Sequence, residues 1–265
     1  MLFSLRIYSF IIGLSAAFEV RAPNRQVVAF YRQTVVLGCS YTPNRDSGLG
    51  GLVVTWQRVD DSRVVHSFYY EKDQLDRQSP SYKNRTGLFH SELATGNASL
   101  RLVQIQPEDS GHYLCSVSSL QGTDKVDVQL IFAAFYTEPR LTVQVHCSNV
   151  SFRYESKGYP EPEVWWIDSE GRNLSHHTEV SSSKEDDGLL FLQTNLELDR
   201  SIGANLTFTL KNRLINQVIE RPVSFSNAGL GYCTNSPRNR LALLLPPLLL
   251  LCFIVALIWN HWKKS

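Results

Sequence analysis

Serines, seven histidines and clustered carboxylates are the residues of this 265-residue chain with which hydrolytic or metal chemistry could begin. A serine nucleophile needs a base, an orienting carboxylate and a strand-to-helix elbow, and no serine here stands in such a context. Zinc needs His or Cys ligands grouped at short spacings; His176-His177 is a neighbouring pair in a polar loop with no second group to complete it. Lys184-Glu-Asp-Asp-Gly188 sets acids in succession but lacks the spaced ligand pattern of a calcium loop. The glycines nowhere form a phosphate cradle. The chain therefore reads as a protein without enzymatic activity, metal or cofactor. What remains is thiol chemistry, carried by five cysteines.

Two of them stand in a recognisable frame. In Asp109-Ser-Gly-His-Tyr113-Leu-Cys115 a period of two puts Tyr113 and Cys115 on one face of a strand. Cys39 ends a β-rich run, Thr34-Val-Val-Leu37, and Trp56 lies inside another, Leu52-Val-Val-Thr-Trp56. A cysteine, a tryptophan, then a cysteine with tyrosine two residues before it is the core signature of an immunoglobulin sandwich. It predicts a Cys39–Cys115 disulfide between the sheets, Trp56 packed on it and Tyr113 forming the corner. Closing so long a loop is worth about 4–5 kcal/mol in the chain-entropy account.

These elements sit in an all-β chain of two tandem immunoglobulin-like sandwiches, followed by one transmembrane helix. Residues 1–17 carry Arg6, an apolar run and Ser15-Ala-Ala17, the pattern of a signal peptide. Residues 18–133 show short β-rich runs separated by turn residues. An additional strand at Arg63–Tyr70 marks this first sandwich as variable-type. Residues 134–228 have room for fewer strands and read as constant-type. A stalk follows at 229–240, then the uncharged run Leu241–Trp259, long enough to span a bilayer. The tail is 260–265. This order implies a type I protein of the plasma membrane with its ectodomain outside; a glycolipid-anchor signal is the alternative reading. Asn84, Asn97, Asn149, Asn173 and Asn205 all stand in Asn-x-Ser/Thr between leader and span, as N-glycosylation of an ectodomain requires. A net charge of +1 with both signs interspersed gives no footprint for nucleic acid.

Within this frame, Ser156-Lys-Gly-Tyr-Pro-Glu-Pro-Glu-Val-Trp-Trp166 resembles the membrane-proximal domain of the B7/butyrophilin-like costimulatory ligands. Ser81-Tyr-Lys-Asn-Arg-Thr-Gly-Leu-Phe89 and Gly96-Asn-Ala-Ser-Leu-Arg-Leu102 are similar to segments of the distal domain of that family. The resemblance implies an ion pair between Arg85 and Asp109. It also exposes a departure: Tyr154 and Phe208 stand where the family has the two bridging cysteines of the second domain. Both are expected to fill that core beside Trp166, which requires repacking. Cys147, after the first strand of the domain, and Cys233, beyond its last, occupy one end of a constant-type sandwich and are expected to pair. Free or intermolecularly bonded thiols are the alternative, since spacing does not fix connectivity. Cys252 falls in the membrane span.

With Trp56, Tyr113 and Cys115 inward, alternation turns Thr55, Gln57, Leu114 and Ser116 outward. In the family register Ser67 and Tyr69 join them, and Leu120 to Asp124 form the adjoining loop. The resemblance implies that this face meets a protein receptor on T cells and modulates their activation and cytokine production. An adhesion molecule of the same architecture is the rival reading, a weak homodimer a further partner, and a soluble decoy without signalling a third reading.

Overall fold

The computed structural model describes residues 17–44, 48–185, 187–199 and 203–226. The leader but for Ala17, the stalk, Cys233, Cys252, the span at Leu241–Trp259 and the tail lie outside the described residues. Among the described residues no helix is long and apolar enough to cross a membrane.

Among the described residues the first sandwich contains eleven strands. They are β1 (Val20–Arg21), β2 (Gln26–Phe30), β3 (Val35–Leu37), β4 (Ser40–Tyr41), β5 (Val53–Arg58), β6 (Val64–Tyr69), β7 (Lys72–Asp73), β8 (Thr86–Leu88), β9 (Leu100–Leu102), β10 (Gly111–Ser119) and β11 (Gly122–Ala133). The front sheet runs β2-β11-β10-β5-β6-β7 and the back sheet β3-β9-β8, with a short β1–β4 ribbon beside them. The β6–β7 hairpin is the addition that distinguishes a variable-type domain. Alternation along β5 and β10 buries Val54, Trp56, Tyr113, Cys115 and Val117 completely. Cys39 and Cys115 are disulfide-bonded, and Trp56 stands directly across from Cys115 on the neighbouring strand.

Several buried polar groups in this domain are answered by specific partners, as desolvation demands. Trp56 Nε1 donates to the Ala98 main-chain oxygen at 2.9 Å. Tyr113 Oη donates to the Asp109 main-chain oxygen at 2.7 Å, which makes the tyrosine corner. Burial beside Tyr82 pushes the Tyr113 hydroxyl well above the usual phenol range. Arg85 meets the buried Asp109 carboxylate through both terminal guanidinium nitrogens, Nη1 at 3.2 Å, so the ion pair expected from the resemblance is present. The same carboxylate accepts the Gln106 N–H at 2.8 Å and closes the turn into β10.

The second sandwich comprises β12 (Arg140–Val145), β13 (Asn149–Gly158), β14 (Glu163–Asp168), β15 (His177–Ser182), β16 (Leu190–Asp199), β17 (Ala204–Asn212) and β18 (Gln217–Phe225). Its sheets, β12-β13-β16-β15 and β14-β17-β18, have the strand order of a constant-type domain. Phe208 lies directly across from Trp166, the relation that Cys115 has to Trp56. The Tyr154 and Phe208 rings are 4.3 Å apart, and Trp166 is 5.4 Å from one and 5.3 Å from the other. The aromatic repacking anticipated for this core is therefore what occupies the place of a bridge.

The sequence reading needs correction in the same domain. His177 does not lie in a loop: it opens β15, a polar edge strand paired with β16. Gly188, just beyond the acidic stretch, comes close to the first sandwich. Gly188 adopts φ +67°, and a Cβ there would lie 2.4 Å from Pro107 of the first sandwich. The described residues form one compact unit. Its two halves also meet where the Phe132 and Tyr159 rings lie 5.1 Å apart.

Candidate binding face

Strand pairing assembles the outward face of the front sheet row by row. Ser67 pairs with Thr55, Thr55 with Ser116 and Ser116 with Lys125. The next row is Gln57, Leu114 and Asp127, followed by His112, Gln129 and Gln26. A bulge in β5 between Trp56 and Gln57 shifts the register against β6 at this point. Hydrogen bonds between side chains hold the far rows: Gln26 Nε2 donates to Gln129 Oε1 at 2.9 Å, and His112 Nδ1 lies 2.8 Å from Asp127 Oδ2. The centre, by contrast, is a smooth strip of half-buried Thr55, Gln57, Leu114 and Ser116.

At the other end the face becomes apolar. Val53 follows Thr55 outward and is 37% exposed, Tyr69 is 36% exposed, and Leu120 at the β10–β11 turn is 75% exposed. Tyr70, beyond Tyr69, reaches 83%. Its ring packs edge-on against Tyr69 with centroids 5.3 Å apart. Tyr70 and Glu71 form the two-residue β6–β7 turn with φ of +54° and +59°, where asparagine and glycine are the usual occupants. Side chains held in that region cost about 1–3 kcal/mol each and persist only where the surroundings fix them. The base of the hairpin supplies such fixing. Asp73 Oδ1 lies 2.8 Å from His90 Nε2 and 3.1 Å from the buried His66 Nε2, and His66 Nδ1 reaches Thr86 Oγ1 at 2.9 Å.

Two expected members of the face are placed otherwise. Ser67 occupies the expected register beside Thr55 but is itself buried, so it offers no contact surface. Asp124 faces the other way, because it pairs with inward-facing Val117. Its carboxylate accepts the Val20 N–H at 2.8 Å and is held below the ordinary range by that bond and one from the Lys125 backbone. It ties β1 to the sheet instead of meeting a partner. Thr55, Gln57, Leu114, Ser116, Tyr69 and Leu120 are brought to one side of the molecule. Val53, Tyr70 and Lys125 join them without having been singled out. Simple alternation from Thr55 and Ser116 would have found Val53 and Lys125.

None of the sequons stands on this face. Asn84 and Asn97 flank the back-sheet strands β8 and β9. Asn149, Asn173 and Asn205 belong to the second sandwich, and all five are at least partly exposed. Asn97 is additionally engaged, its amide donating to Glu92 Oε2 at 2.6 Å. Elsewhere, His176 Nδ1 lies 2.9 Å from the Leu174 oxygen and His177 Nε2 2.9 Å from Glu179. Among the described residues no group of three or more His, Cys, Asp or Glu is placed to hold a metal ion.

Comparison with known proteins agrees with this architecture. Residues 23–131 match the immunoglobulin V-set domain, and residues 137–220 match the "Butyrophilin subfamily 3 member A2-like, Ig-C domain". A CD276 antigen homolog of Xenopus laevis is 27% identical over 234 residues, 84% of this chain and 73% of that protein. The V-set domain-containing T-cell activation inhibitor 1 of Rattus norvegicus is 32% identical over 148 residues, 55% of this chain and about half (51%) of that protein. Among solved structures, bovine butyrophilin superposes with a TM-score of 0.68 at 23% identity, covering 80% of this chain and 100% of that one. That last likeness speaks for the fold alone.

Proposed function

Because the chain belongs to the B7/butyrophilin-like members of the immunoglobulin superfamily, we propose that it is a cell-surface ligand whose front sheet engages a protein receptor on T cells and modulates their activation. The observation that carries the reading is the face itself: a half-buried strip around Leu114, bordered by Val53, Tyr69, Tyr70 and Leu120. A modest interface with aromatic anchors in a polar surround suits such a surface. The relative named as a T-cell activation inhibitor supports the cell type. In this reading Leu241–Trp259 anchors the chain as a type I membrane protein, and the five sequons carry N-glycans that leave the front sheet bare.

The test is staining of resting and activated T cells with a tetramerised ectodomain. The wild type is expected to stain activated cells, and Leu114→Arg to lower staining at least tenfold while the thermal transition stays put. Undiminished staining by that variant removes the assigned face. Aggregation of beads coated with the ectodomain, without T-cell staining, would favour the adhesion reading of the same architecture.

A further inference from the structure

The corner where the β4–β5 loop meets the β6–β7 turn forms an open cleft of about 420 Å³. Gly51, Val53, Tyr69, Tyr70 and Glu71 line it. Its walls are apolar or aromatic. Glu71 is the one charged group in the lining, and it is exposed. Among the described residues Glu71 enters no ion pair. Gly51 adopts φ +78°, and a Cβ there would stand 3.3 Å from Leu120. A bare backbone at this point lets the exposed Leu120 lie close to the loop and extend the apolar border.

Two features separate this cleft from an incidental surface dent. Tyr70 and Glu71 are both held in the left-handed region, a cost that the fold sustains at the cleft's rim, and strain of this kind concentrates at ligand clamps. The hairpin bearing them is also held at its base by the contact of Asp73 with His90. The rim is thus presented in a set shape. Glu71 brings a carboxylate to this rim and its chain neighbour Tyr70 an exposed ring; a cation seated there would pair with the one and be drawn by the ring quadrupole of the other.

We propose that this cleft is the specificity pocket of the front sheet. It takes an apolar side chain from a partner loop while Glu71 and Tyr70 hold an adjacent arginine. The inference rests on the reading of the front sheet as the receptor-binding face, and it adds the chemistry of the partner to it.

Two measurements separate the pocket from that reading. In the first, the purified full-length chain in detergent micelles is titrated with N-acetyl-Leu-Arg-amide and N-acetyl-Leu-Glu-amide, read by surface plasmon resonance. The arginine peptide is expected to bind at least threefold more tightly, and Glu71→Gln to erase the difference. Equal affinities, or no saturable binding of either peptide, overturn the pocket whatever T cells do. In the second, cells displaying the full-length chain form conjugates with activated T cells. Glu71→Lys is expected to reduce conjugates at least tenfold and Glu71→Asp less than threefold. Should Leu114→Arg abolish conjugates while Glu71→Lys leaves them intact, the face stands and the pocket falls. Should the wild type form no conjugates, the T-cell reading fails, and the peptide titration alone upholds or overturns the pocket.

Discussion

In the first sandwich Trp56 lies across from Cys115 of the inter-sheet disulfide and donates its indole N–H to a main-chain oxygen, that of Ala98. In the second, Trp166 lies across from Phe208, is boxed by Tyr154, and donates to a side chain, Thr194 Oγ1, at 3.1 Å. The positions correspond and the physics differs. A cross-link acts mainly by restricting the unfolded chain. Stacked aromatic rings act in the folded state, through buried area and ring–ring contacts that each add about 0.5–1.5 kcal/mol. One core is therefore tied covalently and tolerant of its neighbours. The other depends on the shape and hydrogen bonding of every ring.

The sharpest way to break this comparison is to remove the bridge. Cys39→Ala with Cys115→Ala is expected to destabilise the first sandwich by about 4–5 kcal/mol, much of the stability of an ordinary domain. Calorimetry of the ectodomain should show the first transition falling while the second moves little. Equal loss in both transitions would mean that the two cores are one cooperative unit. The same material sharpens the other side of the contrast. Cys147 sits exposed in the turn between β12 and β13, and non-reducing peptide mapping is expected to recover it linked to Cys233. Recovery of the two as separately alkylated peptides would leave the second sandwich with its aromatic core and no intrachain staple.

Next in size is the aromatic core. Phe208→Ala is expected to cost the second sandwich about 3–5 kcal/mol, the range for emptying a fully buried phenylalanine site. Tyr154→Ala combined with it should cost less than the sum of the two, since rings 4.3 Å apart share one cavity when both are gone. Strict additivity, measured by denaturant unfolding, would show that the rings do not support each other.

Why one core was easier to read than the other is itself physical. Cys39, Trp56 and Asp109-x-Gly-x-Tyr113-x-Cys115 are residues that only a few environments accept, so their spacing carried both the disulfide and the inward face of β5 and β10. The second core was legible through its departures, because Tyr154 and Phe208 stand where a bridge is expected. Strand β15 was not, since His177-Thr-Glu-Val-Ser-Ser182 holds a single large apolar residue and an edge strand exposed to water needs no alternation. The candidate face was half legible. Alternation placed Thr55, Leu114 and Ser116, but Asp124 was counted as loop when β11 begins at Gly122 and turns it inward. Tyr70 was missed for a different reason: a Tyr-Glu pair carries no sign of a turn with two positive φ angles, and only the fold forces it there.

The smallest effect probes the hydrogen bond that distinguishes the two tryptophans. Thr194 is fully buried and its hydroxyl also accepts a bond from Thr178 Oγ1 at 3.0 Å. Thr194→Val keeps the volume and removes the acceptor, leaving the Trp166 N–H without a partner in the core, while the exposed Thr178 can turn its hydroxyl to water. A loss of about 1–3 kcal/mol in the second transition is expected, with a shift in tryptophan fluorescence. No side-chain substitution can do the same to Trp56, because Ala98 offers its main-chain oxygen whatever side chain it bears. If Thr194→Val proved neutral, the second core would have room to re-satisfy its indole, and the distinction between a tolerant first core and an exacting second one would disappear.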